Sequence, residues 1–173
     1  MELFDVIQKR RSVRVYDTQK IVEKEKLDQI LEYTNLAPSA NQGYEIVVVE
    51  EKFLLDQIWQ VSSGQKIPVT APLALVFCAN EKRSSEIFGA RGKELYAIQD
   101  AAIAAAYAQL AAVNLGLATV WVGSFKEAEV KKIIQAPDPI RPVAILSLGY
   151  PAEHPARSIR RQISDIVHRD QFK

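Results

Sequence analysis

The residues best suited to chemistry stand early in the chain, in the stretch Arg10-Arg11-Ser12-Val13-Arg14. Side chains alternate along an extended chain, so Ser12 and Arg14 are expected on one face and Val13 on the other. A guanidinium can donate two parallel charge-assisted hydrogen bonds to a phosphate, and a nearby hydroxyl suits the same ligand. The pattern therefore favours a phosphate dianion, with Arg10 close enough to join the pair.

A purely structural role explains the same arginines. Apolar residues at helical spacing in the run from Leu3 to Ile7 predict a helix just before them. Arg10 and Arg11 would then complement the carboxyl end of that helix, and Arg14 would point into water. Taken alone, the five residues leave both interpretations open.

A second polar cluster follows the next predicted helix, residues 22–36, which Ala37-Pro38 ends. The loop from Ser39 to Gly43 carries three hydrogen-bonding side chains before a predicted strand at residues 44–50. Proline, serine, asparagine and glycine suit any connection, so an ordinary turn and a ligand role both remain open. Gln42 favours a ligand role, because turn chemistry has no need of a glutamine.

Helices and strands alternate along the rest of the chain. Hydrophobic periodicity predicts helices at 53–62, 94–115 and 126–135, strands at 72–79, 118–124 and 141–148, and a connection at 64–68. Residues 80–92 are rich in both charges and predict a mobile excursion. The alternation predicts a single domain, residues 1–173, of the α+β or α/β sandwich type with a mixed sheet.

The central predicted helix is unusually rich in alanine. Eight of the twelve residues from Ala101 to Ala112 are alanine, and only Gln109 among them is strongly polar. A helix that is apolar on all sides must be buried on all sides, and one small domain has few elements to surround it. We therefore expect a homodimer with this helix at its centre. Isoleucines in the basic tail, about residues 150–173, suggest that the tail packs on the partner subunit.

Composition narrows the functional classes. The net charge is only +1, from 22 basic and 21 acidic residues, which argues against nucleic-acid binding. No apolar run approaches the roughly 18 residues that a membrane helix needs. The single cysteine, Cys78, cannot form an internal disulfide, and no signal peptide is recognisable, so we expect a cytoplasmic protein.

The usual catalytic and metal-binding patterns are not found. Both histidines, His154 and His168, lie in the tail, so none stands beside a nucleophile on a strand-end loop. No His/Glu pair has metal-ligand spacing, and no glycine-rich phosphate loop follows a strand. If the protein is an enzyme, a bound cofactor carries the chemistry, and Arg10, Ser12 and Arg14 point to a phosphorylated one.

Five stretches in matching order resemble motifs of the flavin-dependent nitroreductase family, and together they span nearly the whole chain. They are Arg10-Arg11-Ser12-Val13-Arg14, Ala37-Pro38-Ser39-Ala40-Asn41-Gln42, Gln99-Asp100-Ala101, Gly116-Leu117-Ala118-Thr119-Val120-Trp121-Val122-Gly123-Ser124-Phe125 and Leu148-Gly149-Tyr150-Pro151. Arg160-Arg161 ahead of Ile166-Val167-His168 is similar to the family's closing basic motif. The chain is short for the family.

The resemblance implies a three-layer α+β sandwich with a mixed, mostly antiparallel sheet. It implies a homodimer that holds FMN at the subunit interface and uses NAD(P)H to reduce nitroaromatic, quinone or related acceptors in a ping-pong cycle. Arg10, Ser12, Arg14 and Arg160 would hold the FMN phosphate. Arg11 usually counts in the same motif, although the alternation argument directs it elsewhere, toward the edge of the flavin ring.

Other cofactor contacts are implied by the same resemblance. Val122 and Gly123 would present backbone near the reactive nitrogen of the flavin, where the missing side chain of Gly123 permits close approach. Trp121 could belong to the core or to a pocket wall. The partner subunit would line the cofactor with Pro38, Ser39, Asn41 and Gln42. Two alternatives remain: a flavin enzyme of the same fold with another reaction, reductive dehalogenation or flavin breakdown, and an FMN-binding protein without enzymatic activity.

Overall fold

The computed structural model describes residues 2–63 and 68–172. Helices α1 to α6 span Leu3–Lys9, Lys24–Asn35, Lys52–Val61, Glu81–Arg91, Ala97–Asn114 and Glu127–Ile133. Strands β1 to β4 span Tyr44–Val49, Leu73–Asn80, Ala118–Val122 and Ile140–Gly149. A π-helical turn, Gly92–Tyr96, joins α4 to α5, and a 3-10 turn, Ile163–Asp165, lies in the tail. The predicted connection at 64–68 falls outside the described residues except for Pro68.

The four strands form one sheet in the order β1-β2-β4-β3, and each neighbouring pair is antiparallel. Among the described residues, a parallel pairing occurs only in the extended segment after α1, where Ser12 forms an isolated bridge with Thr119 of β3. The predicted antiparallel character of the sheet is confirmed, and in the described part of the chain the parallel component is limited to this one bridge.

Helices cover both faces of the sheet, as a three-layer sandwich requires. Alternate residues of the buried strand β2 face opposite layers, because side chains in a strand point to opposite sides. Val76 and Cys78 pack with Ile58 of α3 and Val130 of α6. Leu75 and Phe77, by contrast, pack in the layer formed by α2 and α5. Each large side chain so buried contributes about 1.5–3 kcal/mol, which makes β2 the anchor of both layers.

The alanine-rich helix α5 is buried on one side only within a single chain. Its inner stripe packs against the sheet and α2, and consists of Ala97, Ala101, Ala104, Ala105, Ala108 and Ala112. The opposite side leaves Ala106 and Tyr107 exposed. We expected α5 to be buried on all sides. Within one chain only its inner side is buried, and its outer side is accessible to solvent.

One local prediction needs correction. Residues 80–92 are not an irregular excursion but mainly helix α4, whose amino end is capped by Asn80 Oδ1 accepting from Arg83 N at 3.0 Å. The helix escaped notice because its polar residues show no periodicity, and Gly89, with φ 57°, interrupts its regular conformation. Helix α1 forms as predicted, but its apolar residues Leu3 and Phe4 are exposed rather than packed.

The tail leaves the sheet after β4 and runs past the extended segment, where Pro151 bridges Tyr16. Beyond this point its large apolar residues have no core to enter within the chain, and Ile159 is 98% exposed. Among residues 2–63 and 68–172, no helix combines the length and the apolar character needed to cross a membrane.

Candidate functional site

The extended segment after α1 is fixed against the edge of the sheet. Val13 N donates to Thr119 O at 3.1 Å, and the Val13 side chain is buried in the core. Ser12 and Arg14 therefore lie on the opposite side, and both line one cavity. This confirms the alternation predicted for the segment. We call Arg10 to Arg14 the basic segment.

A buried tyrosine holds the basic segment from the core side. Tyr16 Oη donates to Val13 O at 2.8 Å and therefore accepts from Ser147 Oγ at 2.5 Å. Ser147 Oγ in turn accepts from Val120 N at 3.1 Å. Burial raises the pKa of the Tyr16 phenol well above its usual value, so the hydroxyl stays protonated and keeps its donor role. Because Tyr16 holds the Val13 backbone in place, the side chains of the neighbouring Ser12 and Arg14 are directed toward the cavity.

A cavity of about 410 Å³ brings the basic segment together with the tail. Its basic wall consists of Arg10, Arg11, Arg14, Arg157 and Arg160, and Ser12 supplies a hydroxyl. The sequence predicted that Arg10, Ser12, Arg14 and Arg160 share one site, but it directed Arg11 toward the ring edge, whereas Arg11 lies in the same wall. Arg157, which stands three residues before Arg160 in the same basic stretch, was given no role. That spacing was the available signal.

The charges around this cavity are mutually repulsive. Burial lowers the pKa of Arg10, and the nearby charges of Arg160, Arg11 and Arg157 lower it further. Within residues 2–63 and 68–172, no carboxylate forms an ion pair with any of these side chains. Clustered cations destabilise one another in the absence of an anion, and a bound anion would remove that cost.

The structural alternative explains part of the cluster. Arg11 Nη1 donates to Gln8 O at 2.6 Å and to Arg10 O at 2.8 Å, and Arg157 Nη2 donates to Gln8 O at 2.7 Å. Both side chains therefore cap the carboxyl end of α1, which favours cations. Arg10 and Arg160 form no such bonds to α1, so the helix-capping interpretation covers Arg11 and Arg157 but not the whole set.

Glu153 links the tail to the basic segment, a role that sequence analysis did not find. Its Oε1 accepts from Arg14 N at 2.6 Å and from Val15 N at 3.2 Å. These bonds use the backbone of Arg14, so the guanidinium remains free apart from one bond from Nη1 to Ser12 O at 3.1 Å. No sequence pattern marks this contact, because it joins residues 139 positions apart.

The loop at residues 38–42 does not reach the arginine cavity within one chain, since none of these residues lines it. Ser39 Oγ accepts from Gln42 N at 3.1 Å, and Gln42 Nε2 donates to Asn35 Oδ1 at 3.2 Å. Pro38 and Gln42 are exposed, whereas Asn41 is engaged inward through Nδ2, which donates to Arg83 O at 2.9 Å. Gln42 has φ 54°, so it takes part in the turn after all.

The end of β3 is open where the sequence predicted close backbone approach. Val122 points into the core, and Gly123 is exposed. Trp121 is 36% exposed and belongs to neither core cluster, which excludes the core role for its indole. Its Nε1 would lie 3.4 Å from a Cβ added to Gly123. Gly123 also lines a cavity of about 260 Å³ together with Ile98 and Phe125.

Comparison with known proteins identifies the family of this chain. The model of the Nitroreductase family matches residues 7–77 and 60–150 of this chain. The chain belongs to the nitroreductase family. As a member of this family it is an oxidoreductase, and its α+β fold agrees with that of solved relatives.

Several relatives match almost the whole nitroreductase chain. It is 30% identical over 186 residues to a Bacillus subtilis protein named FMN reductase, NAD(P)H, with 99% of this chain and 74% of the relative covered. It is 25% identical to an oxygen-insensitive NADPH nitroreductase of Salmonella typhimurium, covering 94% of this chain and 71% of the relative.

Solved structures resemble it equally closely. Bacillus megaterium NfrA2 superposes with a TM-score of 0.89 at 30% identity, over 100% of this chain and 76% of the other. A nitroreductase family protein from Clostridium difficile gives a TM-score of 0.86 at 29% identity, with 99% of this chain and 100% of the other covered.

Proposed function

We propose that this chain is an NAD(P)H-dependent FMN oxidoreductase that reduces nitroaromatic, quinone or related acceptors. The observation that carries the proposal is the arginine cavity, which Arg10, Arg14 and Arg160 line together while none of them forms a side-chain ion pair with a carboxylate of the described residues. Relatives named FMN reductase and NADPH nitroreductase match nearly the whole chain, which supports this flavin and this reductant.

The residues present suit the phosphate of FMN. A phosphate monoester offers a dianion with three oxygens, and the cavity offers guanidinium forks beside the Ser12 hydroxyl. Charge-assisted contacts are worth about 1.5–3 kcal/mol each. Nanomolar binding needs about 12 kcal/mol, so burial of the flavin ring must supply the rest. Arg10, Ser12, Arg14 and Arg160 therefore fix one end of the cofactor rather than providing all of its affinity.

Strand β3 connects the phosphate end of the proposed site to the ring end. Ser12 pairs with Thr119, and Gly123 follows four residues later, about 13 Å along an extended strand. A ribityl chain with the ring beyond it spans a comparable length. In this arrangement the backbone of Gly123 faces the flavin ring, and the exposed Trp121 indole forms one wall of the pocket.

A second copy of the chain would complete the site. The outer side of α5 carries an apolar stripe at helical spacing, formed by Ala102, Ile103, Ala106, Leu110 and Val113. Apolar residues of α1 and of the tail, among them Phe4 and Ile159, are exposed as well, and exposed apolar patches are typical of interaction surfaces. In the proposed homodimer, the tail packs on the partner, and Pro38, Ser39 and Gln42 line the partner's cofactor, whereas the Asn41 side chain is engaged inward with Arg83 O.

The chain's own residues would bind and orient rather than exchange protons. When bound, FMN supplies hydride acceptance from NAD(P)H and hydride donation to the acceptor, which predicts ping-pong kinetics. The basic segment and Arg160 hold the phosphate, and the Tyr16–Ser147 pair keeps the basic segment in register. Gly123 leaves room on the ring side for the reactants to alternate.

The visible spectrum of the freshly purified protein tests the proposal. We expect flavin absorption that remains after desalting, bleaches under nitrogen with NADH or NADPH, and returns on addition of a nitroaromatic or quinone. A colourless protein that refuses added FMN would overturn the proposal. If FMN binds but neither NADH nor NADPH reduces it, the protein is an FMN-binding protein without this catalytic activity. If a halogenated phenol is turned over instead of the nitroaromatic, the enzyme catalyses reductive dehalogenation.

A further inference from the structure

Asp100 is a buried carboxylate that holds the second loop from below. It lies near the start of α5 and is only 3% exposed. Its Oδ1 accepts from Ala40 N at 2.8 Å, and its Oδ2 accepts from Gly43 N at 2.9 Å and Asn41 N at 3.4 Å. No cation pairs with Asp100 in the described part of the chain, so these backbone donors compensate its charge.

The same loop is tied to α4 from the other side. Asn80 N donates to Gly43 O at 2.8 Å, and Arg83 Nε donates to Asn41 O at 2.8 Å. There is also little free space, because a Cβ on Gly43 would lie 3.2 Å from Ser84 Cβ. The loop backbone is therefore held in one position between α4 and α5.

Fixing the residues on either side of Gln42 has a conformational consequence. Asn41 and Gly43 both donate to Asp100, and Gln42 between them adopts φ 54°. A residue with a side chain occupies this left-handed region only when its surroundings compensate the strain. The Asp100 carboxylate provides that compensation, and as a result the Gln42 side chain is presented outward, where it is exposed.

We propose that Asp100 is a positioning residue of the flavin site: it fixes the loop that presents Ser39 and Gln42 to the cofactor of the partner subunit. This inference rests on the proposed function. In this proposal the basic segment holds the phosphate end of the flavin, and Asp100 positions the loop at the ring end. Changes in the basic segment and at Asp100 should consequently differ in their dependence on the flavin phosphate.

Asp100→Asn tests the assignment, since it keeps the size of the side chain and replaces one acceptor oxygen by a donor. At least one loop N–H then faces another donor, and the Kd for FMN and for riboflavin should both rise about 10- to 100-fold, leaving the ratio of the two unchanged. In the flavin-free protein, amide exchange at Ala40 and Gly43 should accelerate while exchange in β2 stays as in the wild type.

Two comparison variants make the result specific. Arg14→Ala should weaken FMN far more than riboflavin, and Val130→Ala, a cavity mutation in the opposite layer, should lower stability yet leave both affinities unchanged. Asp100→Ser, which retains a small acceptor, repeats the measurement if the amide variant expresses poorly. Wild-type protein that binds neither flavin would end the proposed function. Wild-type binding together with unchanged Kd values in both Asp100 variants would overturn the Asp100 assignment alone.

Discussion

Arg14 meets two sets of partners, one through its backbone and one through its side chain. Its N–H donates to Glu153, whereas its guanidinium reaches the cavity and, among the residues that the structure describes, donates only to Ser12 O. Truncation of the side chain should therefore leave the backbone in place. The guanidinium has five N–H donors, so most of its hydrogen-bonding capacity is available to a ligand.

Arg14→Ala is expected to weaken FMN binding about 10- to 150-fold, the equivalent of one or more charge-assisted contacts. Riboflavin, which lacks the phosphate, should bind with nearly unchanged affinity. Equilibrium dialysis of the apoprotein measures both. An FMN affinity equal to that of the wild type would refute the phosphate role of Arg14.

Two neighbouring arginines of the tail offer a matched pair. Arg160 lines the cavity, whereas the Arg161 guanidinium donates to Asp165 O farther along the tail. We expect Arg160→Ala to weaken FMN by about tenfold, and Arg161→Ala by less than about twofold. Fluorescence quenching of FMN titrated with each apoprotein distinguishes them, and equal losses in both variants would argue for a diffuse effect of charge.

Alanine variants of Gly123 and Gly116 distinguish two reasons for a glycine: close approach of a ligand at Gly123 and a backbone conformation with positive φ at Gly116. At Gly123 an added Cβ meets nothing closer than 3.4 Å, whereas Gly116 has φ 79°, which side chains disfavour. Gly123→Ala should change stability by less than about 1 kcal/mol and lower turnover with NAD(P)H about tenfold. Gly116→Ala should lose about 1 kcal/mol of stability with normal turnover. Urea unfolding and steady-state rates check both, and normal turnover in Gly123→Ala would exclude close backbone approach there.

At the scale of the elements, β2 links the two layers, and its single thiol reports on that burial. Burial raises the pKa of Cys78 to about 12, and Glu45 on the neighbouring strand adds to the effect. A thiol whose folded pKa exceeds its unfolded value stabilises the fold fully below the unfolded pKa. That stabilisation is lost as the pH rises from about 8.5 toward the folded value.

Cys78→Ala should consequently flatten the alkaline loss of stability. The thiol steepens the fall of the unfolding free energy by at most about 1.4 kcal/mol per pH unit, and the variant lacks this contribution. Urea unfolding between pH 8 and pH 11 measures the difference, with the buried Tyr16 present in both proteins. Parallel curves for the two proteins would show that the thiol is accessible to water in the folded state.

For the molecule as a whole, the outer side of α5 forms the subunit interface of the proposed homodimer. Ala106 lies in the middle of the apolar stripe, so an arginine there would be solvated in a monomer but buried without a partner in a dimer. We expect Ala106→Arg to dissociate the dimer, because an unpaired buried charge costs several kcal/mol. It should also lose flavin, since the partner's loop no longer covers the ring.

Sedimentation velocity compares Ala106→Arg with the wild type, and Gln29→Arg on the exposed side of α2 serves as the control for added charge. The control should remain dimeric and yellow. A wild-type protein that sediments as a monomer and still binds FMN would contradict the proposed shared site.

Local pattern was sufficient for most elements of this fold. Hydrophobic periodicity marked α2, α3, α5 and the four strands within a few residues, because each buries one face or both. It failed for α4, whose polar surface has no apolar stripe and whose amino end depends on a single asparagine cap. Hydrophobic periodicity also could not show what the apolar side of α1 contacts, because Leu3 and Phe4 are exposed within this chain.

The sequence by itself determined which face of the extended segment Ser12 and Arg14 share at the proposed phosphate end. Alternation in an extended segment is a local property of the backbone, so the shared face of Ser12 and Arg14 followed from their spacing alone. Tertiary structure decided the remainder: that Arg157 joins Arg160 at the cavity, that Glu153 holds the Arg14 backbone, and that Asp100 accepts hydrogen bonds from the loop. Those contacts join residues that are far apart in the chain, and only the packing of α5 and the tail against the sheet brings them within hydrogen-bonding distance.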